Sequence, residues 1–281
     1  VTVLADEFEA ERPRLRAVAY RMLGSLAEAD DAVQEAWLRA DRAGTGGVRN
    51  VPGWLTTIVG RVCLNVLRAR RAWPELRLPD PVVGPADGPD PEQQALLADA
   101  VGLALLVVLE SLTPDERLAF VLHDMFAVPF DEIAVLLDRT PAAARQLASR
   151  ARRQVRDDAP APMPDIARQR VAVDAFFAAA RDGDFDALLH VLHPDVVLRA
   201  DGGPVTVLLR GARDVAGQAT GYRRLADLVV PASINGAAGI VVRSGEHVLA
   251  VMAFTVRDDR IVAVHVLNDP QRLKTLSVNV P

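Results

Sequence analysis

FDEIAVLLDRTPAAARQLASRARRQVR, residues 130 to 156, is the stretch from which the fold of this chain can be worked out. Ile133, Ala134, Leu136 and Leu137 recur at helical spacing, Asp138-Arg139 supplies a break, and Thr140-Pro141 restarts the chain as an N-cap and a first-turn proline. That bend predicts a helix-turn-helix. In the second helix Ala144, Leu147, Ala148 and Ala151 can face a core, which leaves Arg145, Gln146, Ser149, Arg150, Arg152 and Arg153 outward. Residues 139 to 156 contain no acid. A basic helix face is most often a solvated surface. Here it coincides with an alanine-lined turn and a proline-opened helix, and its arginines can pair with phosphate or with a guanine edge, so the stretch points to DNA.

Upstream, residues 4 to 72 read as a helical block. Ser25-Leu-Ala-Glu28 has capping-box spacing and opens an amphipathic run with Ala32, Val33, Ala36, Trp37 and Ala40 on one side and acids elsewhere. After Gly44-Thr-Gly-Gly47 a third helix is expected from Pro52 to about Ala72, ending in Arg68, Arg70 and Arg71. Residues 73 to 91 are dense in proline and glycine and read as a linker without regular structure. A helical domain is expected over 92 to 158, with Thr113-Pro-Asp-Glu116 as a second capping box, and a short linker over 159 to 165. From 166 to 281 helices give way to alternating apolar runs, with Arg257-Asp-Asp-Arg260 as a hairpin turn, which predicts an α+β domain with a meandering antiparallel sheet.

With 281 residues, half of them hydrophobic and a quarter charged, the chain has the size and composition of a globular protein of two or three domains. No apolar run reaches the ~20 residues of a membrane span, and no secretory signal is visible, so the expected location is the cytoplasm. Cys63 is the only cysteine, which excludes an intramolecular disulfide and any multi-cysteine zinc site; no cofactor or metal is expected. The net charge of −5 argues against indiscriminate binding of nucleic acid, so a DNA reader here would be local and assisted.

The block 4 to 72 resembles region 2 of an extracytoplasmic-function RNA polymerase sigma factor: Ala27-Glu-Ala-Asp-Asp-Ala-Val-Gln-Glu-Ala-Trp-Leu38 is similar to the acidic helix that docks on polymerase, and Trp54-Leu-Thr-Thr-Ile58 through Arg71 to the helix that melts and reads the −10 element. Leu112-Thr-Pro-Asp-Glu-Arg117 through Arg153 resembles region 4, which reads the −35 element. Residues 166 to 281 look like a SnoaL-like domain of the NTF2-like cone fold, an order found in the SigJ-like branch of the family. Trp73-Pro-Glu75 with Leu78-Pro-Asp-Pro81, Asp201-Gly-Gly203 and Asn268-Asp-Pro-Gln-Arg-Leu273 resemble short motifs of that branch, the first and last with altered order. Arg61 and Asn65 replace the asparagine and aspartate common in relatives.

The resemblance implies two all-α sigma domains followed by an α+β cone, and a sigma factor regulated in cis by that cone. Its partners would be promoter DNA and core RNA polymerase, through the β′ clamp and the β flap; a small-molecule ligand in the cone is a further implied partner. Asp30, Asp31, Gln34, Glu35, Trp37 and Leu38 would bind core polymerase. Arg61, Asn65, Arg68, Arg70 and Arg71 would hold the −10 strand. Arg145, Gln146, Ser149 and Arg150 would reach −35 base edges, and Arg152 and Arg153 phosphate. Trp73, Pro74, Glu75, Pro79, Asp80, Pro81, Asp201, Gly202, Gly203, Asn268, Asp269 and Pro270 would carry regulation between linker and cone. The alternatives are a helix-turn-helix repressor and a SnoaL-like enzyme tethered to a DNA-binding module. The enzyme would draw on His190, His193, Asp195, Asp201 and His265, but the expected protein is not an enzyme.

Overall fold

A computed structural model of the chain describes residues 2–70, 77–86, 102–158 and 165–278. They divide into two compact units, 2–70 with 106–158 and 77–86 with 102–105 and 165–278. The expected helical restart at Pro91, as far as residue 101, and the linker residues 159–164 lie outside the described residues.

The first unit is helical because its apolar residues recur every three or four positions and its helix ends carry caps. α1 (Thr2–Leu23), α2 (Leu26–Ala43) and α3 (Val51–Ala69) form its first part. The α2 stripe Ala29, Ala32, Val33, Ala36 and Ala40 is buried, and its small side chains let α1 and α3 approach closely. Ser25 Oγ accepts from the Glu28 amide at 3.5 Å, but the Glu28 carboxylate pairs with Arg70 rather than returning to Ser25, so the predicted capping box is half made. Asn50 caps α3 through the Gly53 amide at 3.1 Å, and the helix ends three residues before the expected Ala72. A side chain at Gly60 would stand 3.0 Å from Leu122 Cδ1, so glycine is what lets α3 close on the following helices.

After α3 come α4 (Leu103–Ser111), of which residues 103–105 belong to the second unit, α5 (Pro114–Phe120), a π turn over Val121–Met125, α6 (Phe130–Leu137) and α7 (Pro141–Asp158). The Thr113 box is complete: Thr113 Oγ accepts from the Glu116 amide at 3.4 Å and the Glu116 carboxylate accepts from the Thr113 amide at 3.3 Å. Such a cap is worth about 1 kcal/mol. Arg117, 2% exposed, donates from Nε and Nη2 to the Arg21 carbonyl at 3.1 Å and pairs with Glu110 at 2.9 Å, which ties α5 to α1. Cys63 is buried, and burial pushes its thiol up to about 12, so it stays protonated and packs as a small apolar residue.

In the second unit α8 (Ile166–Asp182) and α9 (Phe185–Val191) pack on a seven-stranded sheet. Its strands are β1 (Val83–Pro85), β2 (Leu192–Asp201), β3 (Thr206–Arg210), β4 (Val229–Ile234), β5 (Ala237–Ser244), β6 (His247–Arg257) and β7 (Arg260–Leu267), in the order β1-β4-β5-β6-β7-β2-β3. α10 (Ala212–Thr220) and a 3-10 turn over Gly221–Leu228 join β3 to β4. Alternate residues Ile240, Val242, Met252, Phe254, Val264 and Val266 share one core with Val173 and Phe176 of α8, giving the expected α+β cone.

Two sequence expectations change here. The sheet is not wholly antiparallel, because β2 pairs with β7 in parallel after the chain crosses through α10 and returns by hairpins. The linker is not devoid of regular structure: Val83–Pro85 forms an edge strand on β4, where a proline costs no ladder hydrogen bond if it faces outward.

Candidate nucleic-acid interface and linker site

The helix-turn-helix is built by local chemistry. Asp138 closes α6 in the left-handed conformation (φ 54°), which aspartate tolerates, and Thr140 Oγ accepts from the Ala143 amide at 3.2 Å to open α7. Ala144, Ala148 and Ala151 are buried and Leu147 is half-buried, while Arg145, Gln146, Ser149, Arg150, Arg152 and Arg153 are all exposed. Arg150 Nε meets Glu116 at 2.9 Å, and Arg152 Nε meets Asp124 at 2.5 Å. Burial raises the Glu116 carboxyl, but hydrogen bonds from Thr113 and Arg150 outweigh it and hold the group below the usual carboxylate range. Arg145 lies over the Phe130 ring, and Arg153 has no hydrogen-bond or ion-pair partner among the described residues.

On α3 the residues Arg61, Asn65 and Arg68 form an exposed face, and Arg68 Nη2 reaches Asp115 at 2.7 Å. Arg70 does not join that face. Its side chain is 13% exposed, pairs with Glu28 and donates to the Leu23 carbonyl at 3.0 Å, so it locks the end of α3 to α1 and α2. Arg71 lies outside the described residues. On α2, Asp31, Gln34 and Leu38 are exposed, and Leu38 is an uncovered apolar side chain at 41%. Asp30 is held by Arg16 at 2.5 and 3.0 Å, Glu35 by Arg39 at 2.8 Å, and Trp37 is half-buried with its ring 5.0 Å from that of Phe8.

Within the second unit the linker is docked on the cone. Asp201 Oδ2 accepts from the Leu78 amide at 2.9 Å and from Arg272 Nη1 at 2.6 Å, while Oδ1 accepts from the Gly203 amide at 3.1 Å. The same Arg272 donates from Nη2 to the Leu78 carbonyl at 2.7 Å and to Asp80 at 2.6 Å. Pro79 and Pro81 are buried beside Asp80. Gly203 has φ 78°, and a Cβ there would stand 3.0 Å from the Asp269 carboxylate; one at Gly202 would meet the Val205 carbonyl at 2.7 Å. Asn268 donates its amide to the Asp201 carbonyl at 2.9 Å, and Asp269 caps α11 (Pro270–Leu273) through the Gln271 amide at 2.9 Å, with Pro270 in the first turn. Asp80, Asp201, Gly202, Gly203, Asn268, Asp269 and Pro270 thus gather at one place. Trp73, Pro74 and Glu75 lie outside the described residues.

Sequence reasoning passed over Arg272 and Asn235. Nothing in spacing links Arg272 to its acids. Asn235 was detectable, because Asn235-Gly236 between apolar runs is a strong hairpin signal; its positive φ of 50° builds the β4–β5 turn. Its amide donates to the Val82 carbonyl at 2.8 Å and its Oδ1 accepts from the Val82 amide at 3.1 Å, extending the β1–β4 pairing.

Between α8 and the sheet Phe176, Phe177 and Phe254 pack against one another at 5.3 to 5.7 Å, beside a small apolar cavity lined by Phe177, Ala180, Leu225, Val229, Val242 and Met252. The histidines and carboxylates of the enzyme alternative do not converge. Asp201 is spent on the linker, and His193, Pro194 and Asp195 sit within the irregular start of β2. His265 is buried on the sheet face opposite Phe254, its Nδ1 without a hydrogen-bond partner.

Comparison with known proteins identifies the two helical parts. The Sigma-70 region 2 family matches residues 8–72 and the Sigma-70, region 4 family residues 102–155. The chain is 40% identical to the ECF RNA polymerase sigma factor SigJ of Mycobacterium tuberculosis (strain ATCC 25618 / H37Rv), over 95% of this chain and 92% of that one. It is 32% identical to the probable ECF RNA polymerase sigma factor SigI of M. tuberculosis (strain CDC 1551 / Oshkosh), over 96% and 94% of the two chains. The crystal structure of the M. tuberculosis extracytoplasmic function sigma factor SigJ superposes with a TM-score of 0.77 at 38% identity, covering 96% of this chain and 98% of that one. No described helix is long and apolar enough to cross a membrane. With such identity over nearly the whole length, the chain belongs to the extracytoplasmic-function RNA polymerase sigma factors, subunits that bind core polymerase and direct promoter-specific initiation.

Proposed function

We propose that this sigma factor reads the −35 element with Arg145, Gln146, Ser149 and Arg150 of α7 and grips adjacent phosphates with Arg152 and Arg153. The observation that carries this reading is the exposed face of α7, free of acids up to Arg156, opposite the buried Ala144, Ala148 and Ala151. Arg61, Asn65 and Arg68 serve the −10 strand, and Arg70 serves the fold. Asp31, Gln34 and Leu38 dock on the β′ clamp, where Leu38 adds apolar area to the acidic face, while the domain carrying α7 engages the β flap.

The cone regulates by holding the linker. Arg272 clamps Asp80 and Leu78 to Asp201, which shortens the free tether between the −10 and −35 readers; release of the clamp raises initiation. The cone has no catalytic part in this reading. The test is in vitro transcription with core polymerase on a genomic promoter library, comparing the unaltered chain, Arg272→Ala and Leu38→Asp. Higher output from Arg272→Ala and loss of core binding by Leu38→Asp are expected. Equal output from all three would sink both assignments.

A further inference from the structure

The outward arginines of α7 differ in what holds them. Arg150 and Arg152 lie against carboxylates, so a phosphate or base must displace Glu116 or Asp124 to reach them. Arg145 instead has its guanidinium carbon 5.7 Å from the centre of the Phe130 ring and makes no hydrogen bond or ion pair among the described residues. A ring face attracts the cation without using its N–H groups, which radiate in the guanidinium plane. The in-plane donors of Arg145 therefore stay open for a bidentate contact with a guanine edge.

Phe130 is itself fixed. Its other neighbour is His123, whose ring stacks at 3.7 Å between centroids with 27° between planes, and His123 Nδ1 donates to the Val128 carbonyl at 3.0 Å. The order Val128, His123, Phe130, Arg145 runs from the backbone before α6 to the first exposed arginine of α7. An arginine side chain carries large rotamer entropy, and restricting it before DNA arrives lowers the ordering cost of binding.

We infer that Phe130 is a positioning residue for −35 specificity, holding Arg145 ready for one base while leaving all its hydrogen-bond donors unspent. The inference rests on the assignment of Arg145 as a base reader.

The test uses the full-length protein with core RNA polymerase, transcribing a promoter library randomised across the −35 element. Phe130→Leu is expected to flatten preference at one position about two- to five-fold, leaving the other positions and the melting temperature unchanged. Phe130→Tyr, which keeps the ring, should retain the preference, and Phe130→Met guards against a folding defect peculiar to leucine. Arg145→Ala should flatten the same position, and adding Phe130→Leu to it should change nothing further. If Arg145→Ala flattens a position and neither Phe130→Leu nor Phe130→Met does, the positioning role is overturned. A uniform loss at every position with a lowered melting temperature would make Phe130 a packing residue only. If Arg145→Ala itself alters no position, the base-reading assignment fails first and the inference falls with it.

Discussion

Arg272 and Asp201, 71 residues apart in sequence, meet at 2.6 Å, and the guanidinium that joins them also grips the linker through Asp80 and the Leu78 carbonyl. Arg272 is 12% exposed and Asp201 4%, so the pair is little screened by water. One side chain thereby couples the end of β2, the start of α11 and the segment around Leu78 and Asp80.

Removing one partner of such a buried pair costs about 3–5 kcal/mol, because the other charge is left uncompensated. Arg272→Ala is therefore expected to undock the linker before it unfolds the cone. Hydrogen exchange at the Leu78 and Val82 amides should speed up markedly. Protection equal to that of the unaltered chain would show that the edge strand alone holds the linker.

Arg145 and Arg153 should separate specificity from grip. Arg145→Ala is expected to lose ~1–3 kcal/mol of discrimination at a single −35 position. Arg153→Ala should weaken all sequences alike and lower the salt dependence of binding by about one phosphate contact. Identical profiles for the two variants would remove the distinction.

Arg68 is paired with Asp115 at 2.7 Å and is 46% exposed, so the pair is worth about 0–1 kcal/mol. Asp115→Asn should free Arg68 and tighten single-stranded −10 binding by no more than about five-fold, with the gain fading as salt rises. A gain that persists in high salt would point to a cause other than this pair.

His265 sets a pH dependence. Burial, with a smaller contribution from the charge of Arg199, pushes its ring down to about 3. Between that value and the ordinary ~6.5 the unfolded chain binds a proton that the folded chain does not, so stability falls as pH drops through this window. From pH 7 to 5 the loss should reach about 2 kcal/mol. Urea unfolding at the two pH values should show this loss in the unaltered chain and less of it in His265→Gln; equal losses would mean that the ring is not held neutral.

Much of the fold was legible because its signals are local. The Thr113 box, the Thr140-Pro141 restart and the Arg257-Asp-Asp-Arg260 hairpin each depend on residues within a few positions of one another, and the structure realises all three. The Ser25 box shows the limit: its spacing was right, yet Glu28 turned to Arg70, 42 residues away. The linker shows another, since its prolines mark an interrupted backbone without telling that Val83–Pro85 would find an open sheet edge.

The amino-acid sequence by itself determined the helix-turn-helix, the exposed arginine face of α7 and the α+β nature of the second unit, because periodicity, capping and turn chemistry act over one or two turns of chain. The tertiary structure alone decided which charges remain available. It turned Arg70 inward, left Arg61 outward, set Arg145 over a ring and spent Asp201 on the linker. Those outcomes depend on where distant segments meet, and a long-range ion pair carries no spacing rule that a sequence could display.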